Sequence, residues 1–310
     1  MLDITLLGTS ALLPLPGRAE TAAALRCAGH TILFDCGEGT QTAARAAHVS
    51  LLKADIIALT HYHGDHIFGL PGLLSTMSVL GRTEPLTLIG PAGIRQALSP
   101  ILELTGPTSY ELRLLELPEK GVRLCGIAPG WPKEIRLRAF PTDHTVLSQG
   151  YAVTLERPGR FLPERAAALN VPKNLWGRLQ KGEAVPVGDV LITPEQVLGA
   201  PRRGLKFVFS GDSRPCDALT EAAMGADLLI CDATYGEDEQ AGLAREHGHM
   251  TFSQAAETAA RAGVRRLWLA HYSQMMKDPA ECLPTARAIF PAAECGKDGM
   301  STRLEFDREE

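Results

Sequence analysis

Short hydrophobic runs alternate with alanine-rich, amphipathic segments along most of the chain. Runs such as ITLLG (4–8) and TILFD (31–35) predict strands, and TQTAARAAH (40–48) has the apolar spacing of a helix. Strands that alternate with helices are typical of a layered α/β fold. The predicted strands are 4–8, 31–35, 55–60, 86–90, 206–210, 227–231, 266–270 and 302–306, with a β-rich stretch at 110–155, and the predicted helices are 40–48, 67–80, 92–104, 215–224, 252–262 and 279–290.

One long segment, residues 157–200, breaks this alternation. It contains five prolines and short helical pieces, and it shows no clear core strand. Connections longer than about 15 residues are usually functional or disordered. We therefore predict that residues 1–310 form one domain, from which residues 157–200 project as an inserted, flexible arm.

The arm is basic although the whole chain is acidic. Residues 157–181 hold six basic residues against one acid, Glu164, so this stretch carries +5 in a chain of net charge −5. An island of positive charge is what binding to a phosphate backbone requires. The predicted RNA-binding residues are Arg157, Arg160, Arg165, Lys173, Arg178 and Lys181.

Composition excludes several classes of protein. The 310 residues are 45% hydrophobic, which is sufficient for one large domain with a buried core. No uncharged apolar run reaches the roughly 18 residues of a membrane span, and the N-terminus MLDITLLGTS lacks the features of a secretory signal. The seven cysteines are scattered and form no CxxC motif, which indicates a reduced protein, and we predict a cytoplasmic one.

The stretch THYHGDHIFG (60–69) places four potential metal ligands within six positions. His61, His63, Asp65 and His66 directly follow a predicted strand, whose rigid end would hold them in place. Neutral imidazole and carboxylate groups suit zinc, and also manganese or iron. Because such a dense group is rare by chance, we predict a metal site here.

Three later strand ends carry side chains of the same kind. His144 in FPTDHT, Asp212 in FSGDSRP and His271 in LAHYS each follow an apolar run. A layered sheet brings such ends to one edge, so we expect them to meet the histidine cluster. Four ligands from one loop do not enclose two metals, and these residues would supply the others.

These motifs resemble the metallo-β-lactamase superfamily and, more closely, the ribonuclease Z family. The similarity runs nearly end to end, through LGTSALLPLP, FDCGEGTQ, THYHGDHIFGLPGL, PTDHTVLSQGY, FSGDSRP, HMTFSQAAETA and LAHYSQ. The resemblance implies a four-layer αββα metallo-β-lactamase sandwich. It also implies a homodimeric, zinc-dependent endoribonuclease that removes the 3′ trailer from precursor tRNA and leaves a 3′-hydroxyl.

The resemblance further implies a role for each candidate ligand. Two zinc ions would activate a shared water molecule, with manganese or iron as alternatives, and Asp65 would orient that water and accept its proton. Carried over by motif, one ion would bind His61, His63 and His144, and the other Asp65, His66 and His271, with Asp212 bridging the two.

His249 is the predicted proton donor to the leaving ribose 3′-oxygen. It precedes a capping box formed by Thr251 and Gln254, and the N-terminus of a helix favours a nearby phosphate. His247 is the weaker alternative. In the family a glutamate of a HEAT-like motif orients this histidine, whereas CDATY here supplies Asp232, a carboxylate one methylene shorter.

Two other functions fit the same residues. A related phosphodiesterase or arylsulfatase that acts on small substrates would use the same metal ligands. A non-catalytic RNA-binding scaffold belongs to a different class, but it would be expected to lose one or more ligands, and this chain keeps all seven. A glyoxalase-like thioesterase is disfavoured, because no helical substrate domain is visible after residue 271.

Overall fold

Two seven-stranded β-sheets face each other in the computed structural model, which describes residues 1–307. Phe34 of the first sheet packs against Tyr151, Phe207 and Phe209 of the second, with ring centroids 5.6–5.8 Å apart. Helices cover the outer face of each sheet and bury a separate apolar core against it. The predicted four-layer αββα sandwich is confirmed.

The first sheet joins an antiparallel half to a parallel half. Its strands are β1 (Leu2–Gly8), β2 (Ala22–Cys27), β3 (His30–Phe34), β4 (Ala54–Ala58), β5 (Leu86–Ile89), β6 (Leu112–Leu115) and β16 (Ser301–Leu304). Their order is β16-β1-β2-β3-β4-β5-β6, and β3 to β6 run parallel. Because β3 and β4 run the same way, the residues that follow them come to one edge of the sheet.

The second sheet repeats this arrangement. Its strands are β7 (Val122–Arg123), β8 (Ile135–Pro141), β9 (Gln149–Arg157), β12 (Arg202–Phe209), β13 (Leu228–Asp232), β14 (Leu267–Ala270) and β15 (Ala293–Cys295). Their order is β15-β14-β13-β12-β9-β8-β7, and β12 to β15 run parallel. The parallel strands therefore also deliver their following residues to one edge.

Two groups of helices form the outer layers. Within the described residues, no helix is long and apolar enough to cross a membrane. Those packed on the first sheet are α1 (Thr40–Ala46), α3 (Leu70–Val79) and α4 (Ile94–Thr105), after the short α2 (Gly64–Ile67). Those packed on the second sheet are α8 (Asp217–Ala223), α10 (Phe252–Ala262) and α11 (Leu283–Ile289), with α9 (Ala241–His247) before α10.

Two local predictions differ from the structure. The sequence pattern predicts no element at 22–27, where β2 is buried between β1 and β3, so strand pairing overrides the helical preference of its three alanines. The helix predicted at 67–80 begins later than expected, as α3 (Leu70–Val79), and the short α2 (Gly64–Ile67) precedes it. Gly69 lies between them, and a Cβ there would overlap the Gly37 carbonyl oxygen, so the chain turns where its backbone packs closely.

Residues Leu155–Gly204 form a second compact unit. It holds a short hairpin of its own, in which β10 (Val185–Val187) pairs with β11 (Val190–Ile192), and neither strand joins one of the two seven-stranded sheets. Trp176 contacts Phe161, with ring centroids 5.2 Å apart, over a small apolar core. The unit also holds α5 (Pro163–Ala168), α6 (Trp176–Gln180) and α7 (Pro194–Val197).

Candidate metal centre and catalytic site

The predicted ligands follow the ends of different strands, and the fold brings their side chains together. Ligand atoms of His61, His63 and His144 lie within 4.8 Å of one another, as do those of a second group. A cavity of about 600 Å³ opens beside these side chains. His61 and His63 follow β4, Asp65 and His66 lie on α2, and His144, Asp212 and His271 follow β8, β12 and β14. The second group consists of Asp65, His66, Asp212 and His271.

Three imidazole nitrogens converge in the first group. Nε2 of His61 lies 3.0 Å from Nδ1 of His63, and Nε2 of His144 lies 3.3 Å from the same atom. The opposite nitrogen of His144, Nδ1, donates to the carbonyl oxygen of Gly248 at 2.9 Å, so its Nε2 presents a lone pair. Converging imidazole nitrogens of this kind suit a divalent metal ion.

Asp212 joins the first group to the second. Its carboxylate lies 3.7 Å from Nε2 of His61 in the first group, and 3.3 Å from Nε2 of both His66 and His271 in the second. Asp65 completes the second group, with its Oδ2 3.3 Å from His271 and 3.6 Å from His66. One carboxylate therefore reaches ligand nitrogens of both groups.

Two buried atoms in this centre have no hydrogen-bond partner among the described residues. They are Nε2 of His66 and Oδ1 of Asp212. An unpaired buried polar atom is costly, and metal coordination would satisfy both. Burial opposes charge on His66, but Asp212, Asp35 and Asp65 raise its pKa well above the usual value. The centre thus attracts positive charge, and its donor set fits a divalent metal.

Sequence reasoning missed the residues that orient these imidazoles. Asp35, buried after β3, accepts a hydrogen bond from His66 Nδ1 at 2.7 Å and from the Thr60 hydroxyl at 2.8 Å. Because the Thr60 hydroxyl proton is used there, His61 Nδ1 must donate to Thr60, which leaves its Nε2 free for a metal. The Thr234 hydroxyl likewise donates its proton to a carboxylate, Asp232, so Nδ1 of His271 must donate to Thr234, at 2.9 Å. The sequence did carry a signal for Asp35, since it is an acid directly after a predicted strand, in FDCGEGTQ.

His249, which is partly buried, pairs with the buried Asp232 at the edge of the centre. Nδ1 of His249 donates to Asp232 at 2.8 Å, so the shorter carboxylate reaches the ring directly. Asp232 is held in turn by Thr234 and by the backbone N–H of Ser213. Burial lowers the pKa of His249, but Asp232 outweighs it and raises the pKa to about 9. Asp232 therefore favours the protonated form of the ring, and His249 lines the cavity.

His247 lies in a different environment. Its side chain is exposed, and Nδ1 bonds to the hydroxyl of Tyr235 at 2.6 Å. Among the described residues it belongs to no group of converging ligand atoms, whereas His249 lies close to Asp212 and His271 as well as to Asp232; both histidines line the cavity. The geometry thus favours His249 over His247 as the residue that acts with Asp232.

The amino-acid sequence has close relatives along its whole length. It is 44% identical to ribonuclease Z of Lachnoclostridium phytofermentans over 310 residues, covering 100% of both chains. The chain belongs to the ribonuclease Z family. It is also 39% identical to ribonuclease Z of Methanothermobacter thermautotrophicus, covering 98% of this chain and 97% of that one. Residues 19–101 match the metallo-beta-lactamase superfamily, and residues 177–272 match a beta-lactamase superfamily domain.

Solved structures of this superfamily share the fold. The short form of human tRNase Z aligns with a TM-score of 0.68 and 27% identity, covering 98% of this chain and 100% of that one. The metallo-beta-lactamase fold protein YhfI from Bacillus subtilis aligns with a TM-score of 0.69 and 18% identity, covering 97% and 98%. At that identity, the second similarity concerns the fold alone.

Proposed function

We propose that this chain is a metal-dependent endoribonuclease that cuts precursor tRNA, removes its 3′ trailer and leaves a 3′-hydroxyl on the tRNA. The convergence of seven metal-type ligands beside the His249–Asp232 pair is the observation that carries this proposal. Membership in the ribonuclease Z family supports the choice of substrate. The human structural relative is itself named a tRNase Z.

We further propose that the centre holds two divalent ions, with zinc as the expected metal and Mn²⁺ or Fe²⁺ as alternatives. Imidazole-rich ligand sets suit these ions. When bound, the ions would supply an activated water and neutralise charge on the phosphoryl oxygens. One ion would bind His61, His63 and His144, and the other Asp65, His66 and His271, with Asp212 shared.

Two acid–base residues would then divide the proton transfers. Asp65 faces the cavity, where it would orient the attacking water and accept its proton. His249 would give its Nε2 proton to the ribose 3′-oxygen as the phosphorus–oxygen bond breaks. Asp232 acts through His249 as a positioning residue, since it holds Nδ1 and stabilises the charged ring.

Residues 157–200 are proposed as the element that binds the body of the tRNA. Five of the six predicted cations are exposed, and Arg157 is partly so. Arg178 pairs with Glu183 at 2.9 Å, which reduces the charge that it offers to RNA. Contacts to shape and phosphates rather than to bases are expected for a folded RNA. By resemblance, we propose a cytoplasmic homodimer.

The proposal is tested by comparing two kinds of substrate. Purified, metal-loaded protein should cleave a 3′-extended tRNA transcript at one position, and the product should carry a 3′-hydroxyl. A 3′-extended hairpin of equal length without the tRNA fold is the matched control and should be cut far more slowly. Cleavage of generic phosphodiesters alone would favour the small-substrate enzyme, and RNA binding without any cleavage would favour the scaffold.

A further inference from the structure

Two large apolar side chains stand in the wall of the catalytic cavity, where the chemistry described above does not use them. Leu12 and Phe68 line the cavity together with His63 and Asp65, and each is 65% exposed. Exposed apolar surface is unfavourable in water, and it adds nothing to the binding of a negatively charged phosphate. Their apolar surface would suit an uncharged component of the substrate.

Phe68 is held in place by the metal loop. It follows α2, and a Cβ at Gly64 would overlap three atoms of its ring. The ring thus lies against the bare backbone of Gly64, one residue before Asp65. This packing fixes the ring beside the ligand loop, while Phe68 as a whole stays largely exposed and lines the cavity.

Leu12 occupies a backbone conformation that leucine rarely adopts. Its φ is +65°, in the left-handed region where a side chain causes strain. Its backbone N–H donates to Oδ2 of Asp65 at 2.9 Å, which ties this turn to the metal centre. A glycine would make the same hydrogen bond with less strain. In the free protein, neither the conformation nor the exposure of the side chain favours leucine.

We propose that Leu12 and Phe68 form a subsite for the nucleobase of a nucleotide next to the scissile phosphate. Every base has an apolar face, and stacking on an aromatic ring binds single-stranded RNA with little preference for sequence. Binding with little sequence preference suits an enzyme whose substrates carry unpaired 3′ trailers of different sequences. The subsite rests on the proposed function, since it assumes that RNA enters this cavity.

The first test changes both the ring and the base. The kcat/KM for precursor tRNA should fall roughly ten- to hundredfold in Phe68→Ala, while Phe68→Trp should stay close to the parent. Precursors with a single abasic nucleotide on either side of the cleavage site should identify the contacted base. At that position, the losses of kcat/KM caused by the abasic change and by Phe68→Ala should not multiply, because each change removes the same interaction. Independent, multiplying losses would overturn the subsite.

The second test separates binding from stability. In Leu12→Gly, the midpoint of thermal unfolding should stay equal or rise, because glycine adopts a positive φ without strain. The same variant should bind precursor tRNA several-fold more weakly. Leu104→Ala is the matched control, since Leu104 is 80% exposed and outside the cavity, and it should change neither property. Metal content must be equal in all variants.

These experiments distinguish the subsite from the function on which it rests. If the parent protein does not cleave precursor tRNA, the proposed function fails. If the parent cleaves it and Phe68→Ala and Leu12→Gly cleave and bind it equally well, only the subsite is wrong.

Discussion

At the scale of single residues, hydrogen bonds at one imidazole nitrogen decide what the other can do. Nδ1 of His61, His66, His144 and His271 each meets an oxygen, which leaves Nε2 for the proposed metals. His249 uses the same arrangement with the carboxylate of Asp232 as its partner, and its pKa rises to about 9. His66 also donates to a carboxylate, that of Asp35, so what separates His249 from the proposed ligands is its place beside them rather than the kind of partner it has.

The first prediction concerns His249. In His249→Ala, precursor tRNA cleavage should fall by about 10²–10⁴-fold, because the 3′-oxygen would leave without a proton. Hydrolysis of bis(p-nitrophenyl) phosphate should fall much less, since nitrophenolate is a good leaving group. Metal content, measured by mass spectrometry, should be unchanged.

His247→Ala provides the matched control for this prediction. Its histidine lies two residues away and lines the same cavity, but it bonds to Tyr235 rather than to a carboxylate. Its effect on cleavage should be small. Loss of metal from His249→Ala, or equal losses on both substrates, would contradict the role of His249 as an acid.

The second prediction concerns Asp212. Because its carboxylate reaches nitrogens of both ligand groups, Asp212→Ala should reduce bound metal at both positions, not at one. Metal per chain after dialysis is the measurement. Asp217→Ala is the control, since that aspartate is exposed and forms a surface ion pair with Arg261. Two metals retained per chain in Asp212→Ala would refute the bridging assignment.

At the scale of elements, the ends of the strands position the metal-type ligands, and a tight turn directly before Asp212 packs closely against Thr60. Gly211 follows β12, directly before Asp212, with φ +61°. A Cβ there would lie 2.7 Å from Cβ of Thr60, whose hydroxyl orients His61. The two sheets therefore meet at a position where any side chain larger than hydrogen would displace a residue that supports a ligand.

The third prediction compares two glycines with the same backbone conformation. Gly225 has φ +64°, and a Cβ added there would meet no described atom within 4 Å, so Gly225→Ala should cost only about 1–2 kcal/mol of backbone strain. Gly211→Ala adds the clash with Thr60 and should cost roughly 2–4 kcal/mol. It should also weaken metal binding, whereas Gly225→Ala should not.

Urea unfolding and metal titration of both variants measure these effects. Equal losses of stability, together with equal metal affinity, would show that Thr60 yields to the new methyl group without disturbing His61.

At the scale of the whole molecule, the proposed function requires an acidic protein to bind a polyanion. Residues 157–181 concentrate positive charge, and their segment folds around an apolar core of its own. A folded unit presents its cations in fixed positions, which suits a structured RNA better than a loose chain would. Acids such as Glu183 follow in the second half of the segment, so the positive surface is local.

The fourth prediction removes this unit. Replacing residues 157–200 by a short Gly-Ser linker should leave metal binding and hydrolysis of a small phosphodiester intact, while precursor tRNA cleavage falls by orders of magnitude through weaker binding. Salt should weaken RNA binding steeply in the parent and shallowly in the deletion.

A charge variant checks the same idea without deletion. In the double variant Arg165→Ala and Lys173→Ala, the slope of log binding constant against log salt concentration should become shallower by about one for each phosphate that is no longer neutralised. Arg178→Ala should change this slope less, because Glu183 already pairs with Arg178. Unchanged precursor cleavage in the deletion would show that another surface binds the RNA.

Local patterns predicted much of this molecule because they reflect local physics. The alternation of strands and helices follows from side-chain periodicity, and it predicted a layered α/β fold. The αββα sandwich was implied by the resemblance of the motifs to the metallo-β-lactamase superfamily. The six-position histidine cluster and the polar strand ends predicted which side chains meet. Strand β2 was not predicted because its alanines have no preference for strands. It forms because it pairs with β1 and β3.

The sequence by itself determined the kinds of chemical group present and their places after strands, since both depend on residue identity and short-range order. Only the tertiary structure decided which nitrogen His66, His144 and His271 offer, because the partners that set it, such as Asp35 for His66, are 31 residues or more away in the chain. It also decided that Asp232 reaches His249, and that Leu12 and Phe68 share one cavity. Contacts between distant segments depend on packing, which no local pattern encodes.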